Sequence, residues 1–154
     1  MEVTFRIDDT KVKKTFKNLG RGLSSFQKPF NKAGDDLLRF YGTEVFDSQG
    51  RDNGERWKQL AASTLLARQN REGYYAQPPI AQGKILVWTG RMQRGFEKEV
   101  TPKRLRIFNE VPYFKYHQKA GGRPAQRKML ALTSKVIDKV VKRILDHVED
   151  ALES

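Results

Sequence analysis

Apolar residues recur along this chain with two periods, and each change of period predicts a change of element. Val3, Phe5 and Ile7 alternate with Thr4 and Arg6, which predicts a short first strand. Asp8, Asp9 and Thr10 offer N-caps to a short amphipathic helix carrying Val12, Phe16 and Leu19, which Gly20 stops. Ser24 or Ser25 caps a longer helix with the stripe Phe26, Phe30, Ala33, Leu37, Phe40, Tyr41 and Val45. Pro29 sits early enough in it to be tolerated, and Gly34 and Gly42 weaken it modestly.

The polar, glycine-rich stretch from Asp47 to Gly54 predicts a loop, and Ser63 then caps a short helix over Thr64 to Arg71. A long connection follows from Glu72 to Gly83, holding Tyr74, Tyr75, Pro78 and Pro79, and is expected to be mobile until it orders against a neighbour. Ile85 to Trp88 is a compact apolar run, and Thr89 caps a helical turn carrying Met92 and Phe96. Glu97–Thr101 and Arg104–Phe108 flank Pro102-Lys103 and alternate apolar with charged residues, which predicts a hairpin with one wet face. Pro112 to Gln118 reads as a turn into a short helix, Gly121-Gly122 as a loop, and Met129 to Leu132 as a closing strand. Ser134 caps the strongest helix, with Val136, Ile137, Val140, Val141, Ile144, Leu145, Val148 and Leu152 on a stripe wide enough to need a partner surface. These elements predict a single α+β domain over 1–154: a small antiparallel sheet flanked by helices, with a long C-terminal amphipathic helix.

Composition changes this picture mainly through charge. The chain of 154 residues carries a net +12. From Lys84 to Leu130, twelve Lys or Arg stand against Glu97, Glu99 and Glu110, a local +9. Such a surface attracts polyanions, DNA foremost, or serves contacts between subunits. No helix-turn-helix or zinc-finger pattern accompanies it, so sequence-specific reading of DNA is not expected. The absence of cysteine rules out disulfides and thiolate metal sites. No apolar run approaches a membrane span, and Met1-Glu2 leads into no signal-peptide core, so the expected compartment is the cytoplasm of the producing cell, with no membrane partner.

Candidate chemistry is sparse. His117 and His147 are the only histidines and form no helical pair, so neither a metal nor another cofactor is expected. His147 falls on the polar side of the last helix. His117 sits among Tyr113, Phe114 and Tyr116 without a neighbouring carboxylate, and reads as a packed, hydrogen-bonded residue at the mouth of the glycine loop. Adjacent acids such as Asp35-Asp36 point in different directions on a helix and share no site. There is no phosphate-binding glycine loop. Trp57 and Trp88, beside Leu60 and Leu86, read as core or interface anchors, with base stacking as the other reading. Arg127, just before the apolar Met129–Leu132, is placed to clamp a carboxylate or a backbone carbonyl through its planar fork.

Four signals occur in a fixed order. They are Gly54-Glu55-Arg56-Trp57-Lys58-Gln59-Leu60, Ile85 to Met92 with Thr89-Gly90, Val111 to Gln118, and Arg123-Pro124-Ala125-Gln126-Arg127 leading to Leu132. Together they resemble the virion morphogenesis (tail completion) family of tailed bacteriophages, of the Mu tail-terminator type. The matching residues are Gly54, Trp57, Leu60, Thr64, Leu65, Arg68, Leu86, Thr89, Gly90, Met92, Tyr113, His117, Gln118, Pro124, Arg127 and Leu130. One departure is Lys119-Ala120-Gly121, where the pattern brings glycine closer to His-Gln. The resemblance implies a small α+β virion protein, not an enzyme, with an apolar strand at Leu86. It would form a hexameric ring at the head-proximal end of the tail, ending the tail and meeting tail tube and neck proteins. Trp57, Leu60, Trp88, Tyr113, His117 and Arg127 are then the expected interface residues. Some of Lys98, Lys103, Arg104 and Arg106 on the hairpin are expected to face passing DNA or an acidic partner ring, the other reading being a charged edge that blocks unwanted strand pairing. The alternative is a basic nucleic-acid-binding module without sequence specificity.

Overall fold

Two long helices and one hairpin account for most of the ordered contacts in the computed structural model, which describes residues 10–71, 73–76, 84–121 and 125–153. The strand expected at Val3–Ile7 lies outside the described residues. Helix α1 spans Thr10–Gly22. Gly20 does not stop it: nothing lies within 4 Å of a Cβ built there, and Leu23 N still donates to Leu19 O at 2.8 Å. The two serines that follow divide the expected capping. The Ser24 hydroxyl turns back to Arg21 O, and Ser25 Oγ accepts Gln27 N–H at the start of α2 (Gln27–Arg39).

α2 runs through one π turn, Phe40–Glu44, into α3 (Val45–Asp47). The wider turn lies where the adjacent aromatics Phe40 and Tyr41 are both buried. Helix α4 (Ala62–Asn70) begins a residue before Ser63, with Ala61 at the cap position and no side-chain cap bond, so Ser63 is not its cap. A short turn, α5 (Arg91–Arg94), leads into β1 (Phe96–Thr101) and β2 (Arg104–Asn109), paired from Phe96–Asn109 to Thr101–Arg104. Pro102-Lys103 forms the predicted two-residue turn. Val100, Leu105 and Ile107 face α2, which approaches closely because residue 34 is glycine. A Cβ there would lie 2.7 Å from Lys98 Cδ and 3.2 Å from Leu105 Cδ1.

The sheet has only these two strands among the described residues. Ile85–Trp88 is not a strand because Leu86 takes a left-handed φ of 62°, which turns the chain while Ile85, Val87 and Trp88 stay buried. Met129–Leu132 is not a strand either, because side chains take the bonds that a ladder would use. Gln118 Oε1 accepts Met129 N–H at 2.5 Å, Gln118 Nε2 donates to Leu130 O, and Tyr41 Oη donates to Ala131 O at 2.7 Å. Helix α6 (Phe114–Gln118) presents that glutamine. The core lies between these pieces, with Phe46 edge-on to Trp57 and Phe96 edge-on to Phe114.

Helix α7 (Ser134–Glu153) packs on α1 and α2. Ser134 is its first residue, and the capping hydroxyl belongs to Thr133, whose Oγ1 accepts Val136 N–H at 3.4 Å. Val136 and Val140 turn to the core, while Ile137, Val141, Leu145 and Leu152 stay exposed. The fold is α+β, with the small antiparallel hairpin packed on helices and the long C-terminal helix that the pattern predicts. Among the described residues no helix is long and apolar enough to cross a membrane.

Candidate functional site: a cavity with two arginines

The site begins with a turn that only glycine permits. Gly50 sits at φ 88°, and a Cβ there would collide with the Trp57 ring and lie 2.5 Å from Glu55 O. The tight turn lets Trp57 N donate to Gln49 O at 2.8 Å and brings the indole Nε1 to Lys128 O at 2.9 Å. Asn53 Nδ2 donates to the same carbonyl. Arg127, next in the chain, is 6% exposed. Its Nε donates to Lys58 O at 3.0 Å and its Nη2 to Gln59 O at 3.2 Å, while its backbone N–H reaches His117 O. Arg127 thus clamps backbone carbonyls, one of the two roles open to it from sequence, and joins three segments distant in the chain.

These braces wall a cavity of about 1010 Å³. Leu60, Leu86, Trp88, Met92 and Tyr113 supply apolar surface, and Thr64, Arg68, His117 and Arg127 supply polar groups. Arg68 Nη1 donates to Lys84 O at 3.0 Å, and its guanidinium lies 5.0 Å from the Trp88 ring centroid and 5.3 Å from that of Tyr75. No Asp or Glu is among the described lining residues. Arg68 Nε and His117 Nδ1 are buried with no hydrogen-bond partner among the described residues. The electrostatics follow. Burial, then the neighbouring Arg68, pulls the Arg127 pKa below its ordinary value. Burial, then Arg127, pulls the His117 pKa down, which favours a neutral imidazole. The arrangement can bind an anion carried on an apolar stem, and among the described residues no carboxylate orients His117 as a base.

Five of the six residues expected at an interface line this one cavity: Leu60, Trp88, Tyr113, His117 and Arg127. Trp57 stands behind it as a brace. The hairpin cations lie elsewhere. Lys98 is not on the outward face: it sits on the α2 side, its side chain 22% exposed, and donates to Asp35 Oδ1 at 2.7 Å and to Asn31 O. Arg104 and Arg106 share Glu99 at 3.1 and 3.4 Å, and Lys103 is exposed at the turn. His147 is half-buried edge-on against Phe26, 6.1 Å between centroids, and borders a polar cleft with Arg21, Lys28 and Lys32. His117 packs as expected, and its Nδ1 has no hydrogen-bond partner among the described residues.

Arg68, Tyr75 and Gln118 complete the site, and none of them stood among the expected interface residues. Arg68 lies one helical turn after Thr64, so the i, i+4 spacing signals a shared face. Tyr75 lies in a short 3-10 turn, Gly73–Ala76, edge-on to Trp88 at 5.0 Å, while residues 72 and 77–83 of the expected mobile connection lie outside the described residues. Among the described residues no group of three or more His, Asp or Glu could hold a metal ion. No protein-family model, no curated protein and no solved structure matches this chain.

Proposed function

We propose that this chain is a structural morphogenesis protein of a tailed bacteriophage. It forms a hexameric ring at the head-proximal end of the tail, ends the tail there and joins it to the neck. The observation that carries the reading is that motifs which occur in order along the chain also meet in space. Leu60, Arg68, Leu86, Met92, Tyr113, His117 and Arg127 come from separate stretches and line one cavity. Trp57 and Gln118 brace it through bonds to the segment that follows Arg127. Such side-chain-to-backbone bonds fix shape, which suits a protein that works by binding alone. A closed ring needs head-to-tail contacts between two different surfaces. The exposed stripe of Ile137, Val141, Leu145 and Leu152 offers apolar area for one of them. Tail tube and neck proteins are the remaining partners. Lys103, Arg104 and Arg106 are the exposed hairpin cations available to passing DNA or an acidic ring.

Electron microscopy and native mass measurement of the purified protein test the proposal. The expected result is a closed hexamer, alone or on tail tubes. A monomer at high concentration, with no ring on tail tubes either, overturns it. A second reading, a nucleic-acid-binding module without sequence specificity, has one observation in its favour. Arg21, Lys28 and Lys32 line a shallow cleft beside His147, and none of the three has an ion pair among the described residues. Duplex binding by the isolated chain that falls steeply with salt, with no ring, is its signature.

A further inference from the structure

We propose that the two-arginine cavity receives the acidic end of α7 from a second copy of this chain, with Glu149, Leu152 and Glu153 of one protomer entering the cavity of its partner. The inference rests on the ring reading and names the contact that closes the ring.

The cavity calls for an anion. Two guanidiniums converge on it without a carboxylate among the described lining residues, and one of them, Arg127, is 6% exposed. Arg68 Nε is a buried donor with no acceptor among the described residues. Buried charges and donors left in this state are costly, and a carboxylate brought in from outside satisfies them. The ligand must also be more than an anion. About 1010 Å³ holds several side chains, and walls such as Trp88 and Met92 are apolar.

In a chain of net charge +12, one stretch meets both requirements. Residues 146–153 hold Asp146, Glu149, Asp150 and Glu153 with no Lys or Arg. Glu149, Leu152 and Glu153 are spaced i, i+3, i+4, so they share one helix face. All three are exposed, and neither glutamate has an ion pair among the described residues. A protomer cannot place this segment in its own cavity. α7 leads away from Thr133, beside Gly54, for 20 residues, about 30 Å of helix, and its far part lies against Phe26. The contact therefore joins two copies through unlike surfaces, the geometry from which rings are built.

Two measurements on the full chain test this. In the first, Arg68→Glu reverses the cavity and the double variant Glu149→Arg, Glu153→Arg reverses the helix end. The second variant is remote from the core, so its fold is preserved even if Arg68→Glu is not tolerated. The helix-end variant should self-associate at least about tenfold more weakly than the unmodified chain. Mixing it with Arg68→Glu should restore complexes, because one interface in each mixed pair is then unmodified. Equal assembly by the helix-end variant and the unmodified chain overturns the docking while leaving the ring reading intact. In the second, a labelled peptide of residues 141–154 is titrated into the full-length Glu149→Arg, Glu153→Arg variant, whose intact cavities are not filled by a neighbour's helix end. Saturable binding that is abolished by the same two Glu→Arg changes in the peptide supports the docking. No binding, or equal binding by a scrambled peptide of the same composition, overturns it.

Discussion

Arg143 and Arg127 are both half or more shielded from water, yet they end in opposite circumstances. On the seam between α2 and α7, Arg143 Nε meets Asp36 Oδ2 at 2.7 Å. That hydrogen bond holds the Asp36 carboxyl below the usual carboxylate range against the opposing pull of partial burial. At the cavity, Arg127 is the more deeply buried of the two and donates to two backbone carbonyls, with Arg68 as a like-charged neighbour. The seam closes its charges within the chain, so its logic is folding. Among the described residues the cavity leaves positive charge and two buried polar atoms without partners, a local conflict of the kind expected at functional sites.

Substitutions that separate framework from seam should differ most in size. Gly50→Ala places a methyl against Trp57 at a positive φ, and should cost about 2–4 kcal/mol in urea unfolding with loss of the near-ultraviolet Trp signal. The matching change on the helical side, Gly20→Ala, meets nothing within 4 Å and should stabilise by about 0.5–1 kcal/mol. Unfolding curves of the two variants that coincide would contradict the framework role of the Gly50 turn. Next in size is the pair of arginines. Arg127→Met leaves the Lys58 and Gln59 carbonyls without their donors and should cost about 2–3 kcal/mol. Arg143→Met leaves Asp36 near Arg39 at 3.7 Å and should cost clearly less than the Arg127 change. Equal losses would erase the distinction between the two sides.

The helices and the hairpin were legible in the sequence because each carries its own period. Val100, Leu105 and Ile107 alternate with charges, and the hairpin formed with the turn where Pro102-Lys103 put it. Two apolar runs misled. Leu86 turns left-handed in the middle of Ile85–Trp88, and Gln118 replaces the ladder partner of Met129–Leu130. Both facts depend on side chains far away in sequence, which periodicity does not encode. Arg127 was legible as a clamp because a buried, forked donor beside an apolar run has few other uses. Lys98 was not legible, since its place depends on Gly34 of α2 letting the hairpin come close. That no Asp or Glu among the described residues lines the cavity of Arg68 and Arg127 is a property of three dimensions only.

The smallest effects lie in the pH dependence, where the two regions answer in separate windows. Asp36 has a folded pKa below its unfolded one, so its pairing stabilises the fold above about pH 4 and is lost as pH falls through the carboxylate range. His117 also has a folded pKa below its unfolded one, because burial and then Arg127 disfavour the imidazolium. Below about pH 6.5 the unfolded chain therefore takes up a proton that the fold resists, and stability declines as pH falls. Thermal melts from pH 8 to pH 3 should show a shallow loss beginning near pH 6.5 and a steeper one at acid pH. His117→Gln should flatten the first window and leave the second, and Asp36→Asn should do the reverse. The cavity adds a condition that the seam lacks. A carboxylate docked beside His117 and Arg127 would favour the imidazolium, so the 141–154 peptide should weaken the loss that begins near pH 6.5 in the Glu149→Arg, Glu153→Arg chain, whose cavities stand open, and leave that chain carrying His117→Gln unchanged. If the peptide alters both chains alike, His117 does not sense the cavity, and its low pKa reports burial alone.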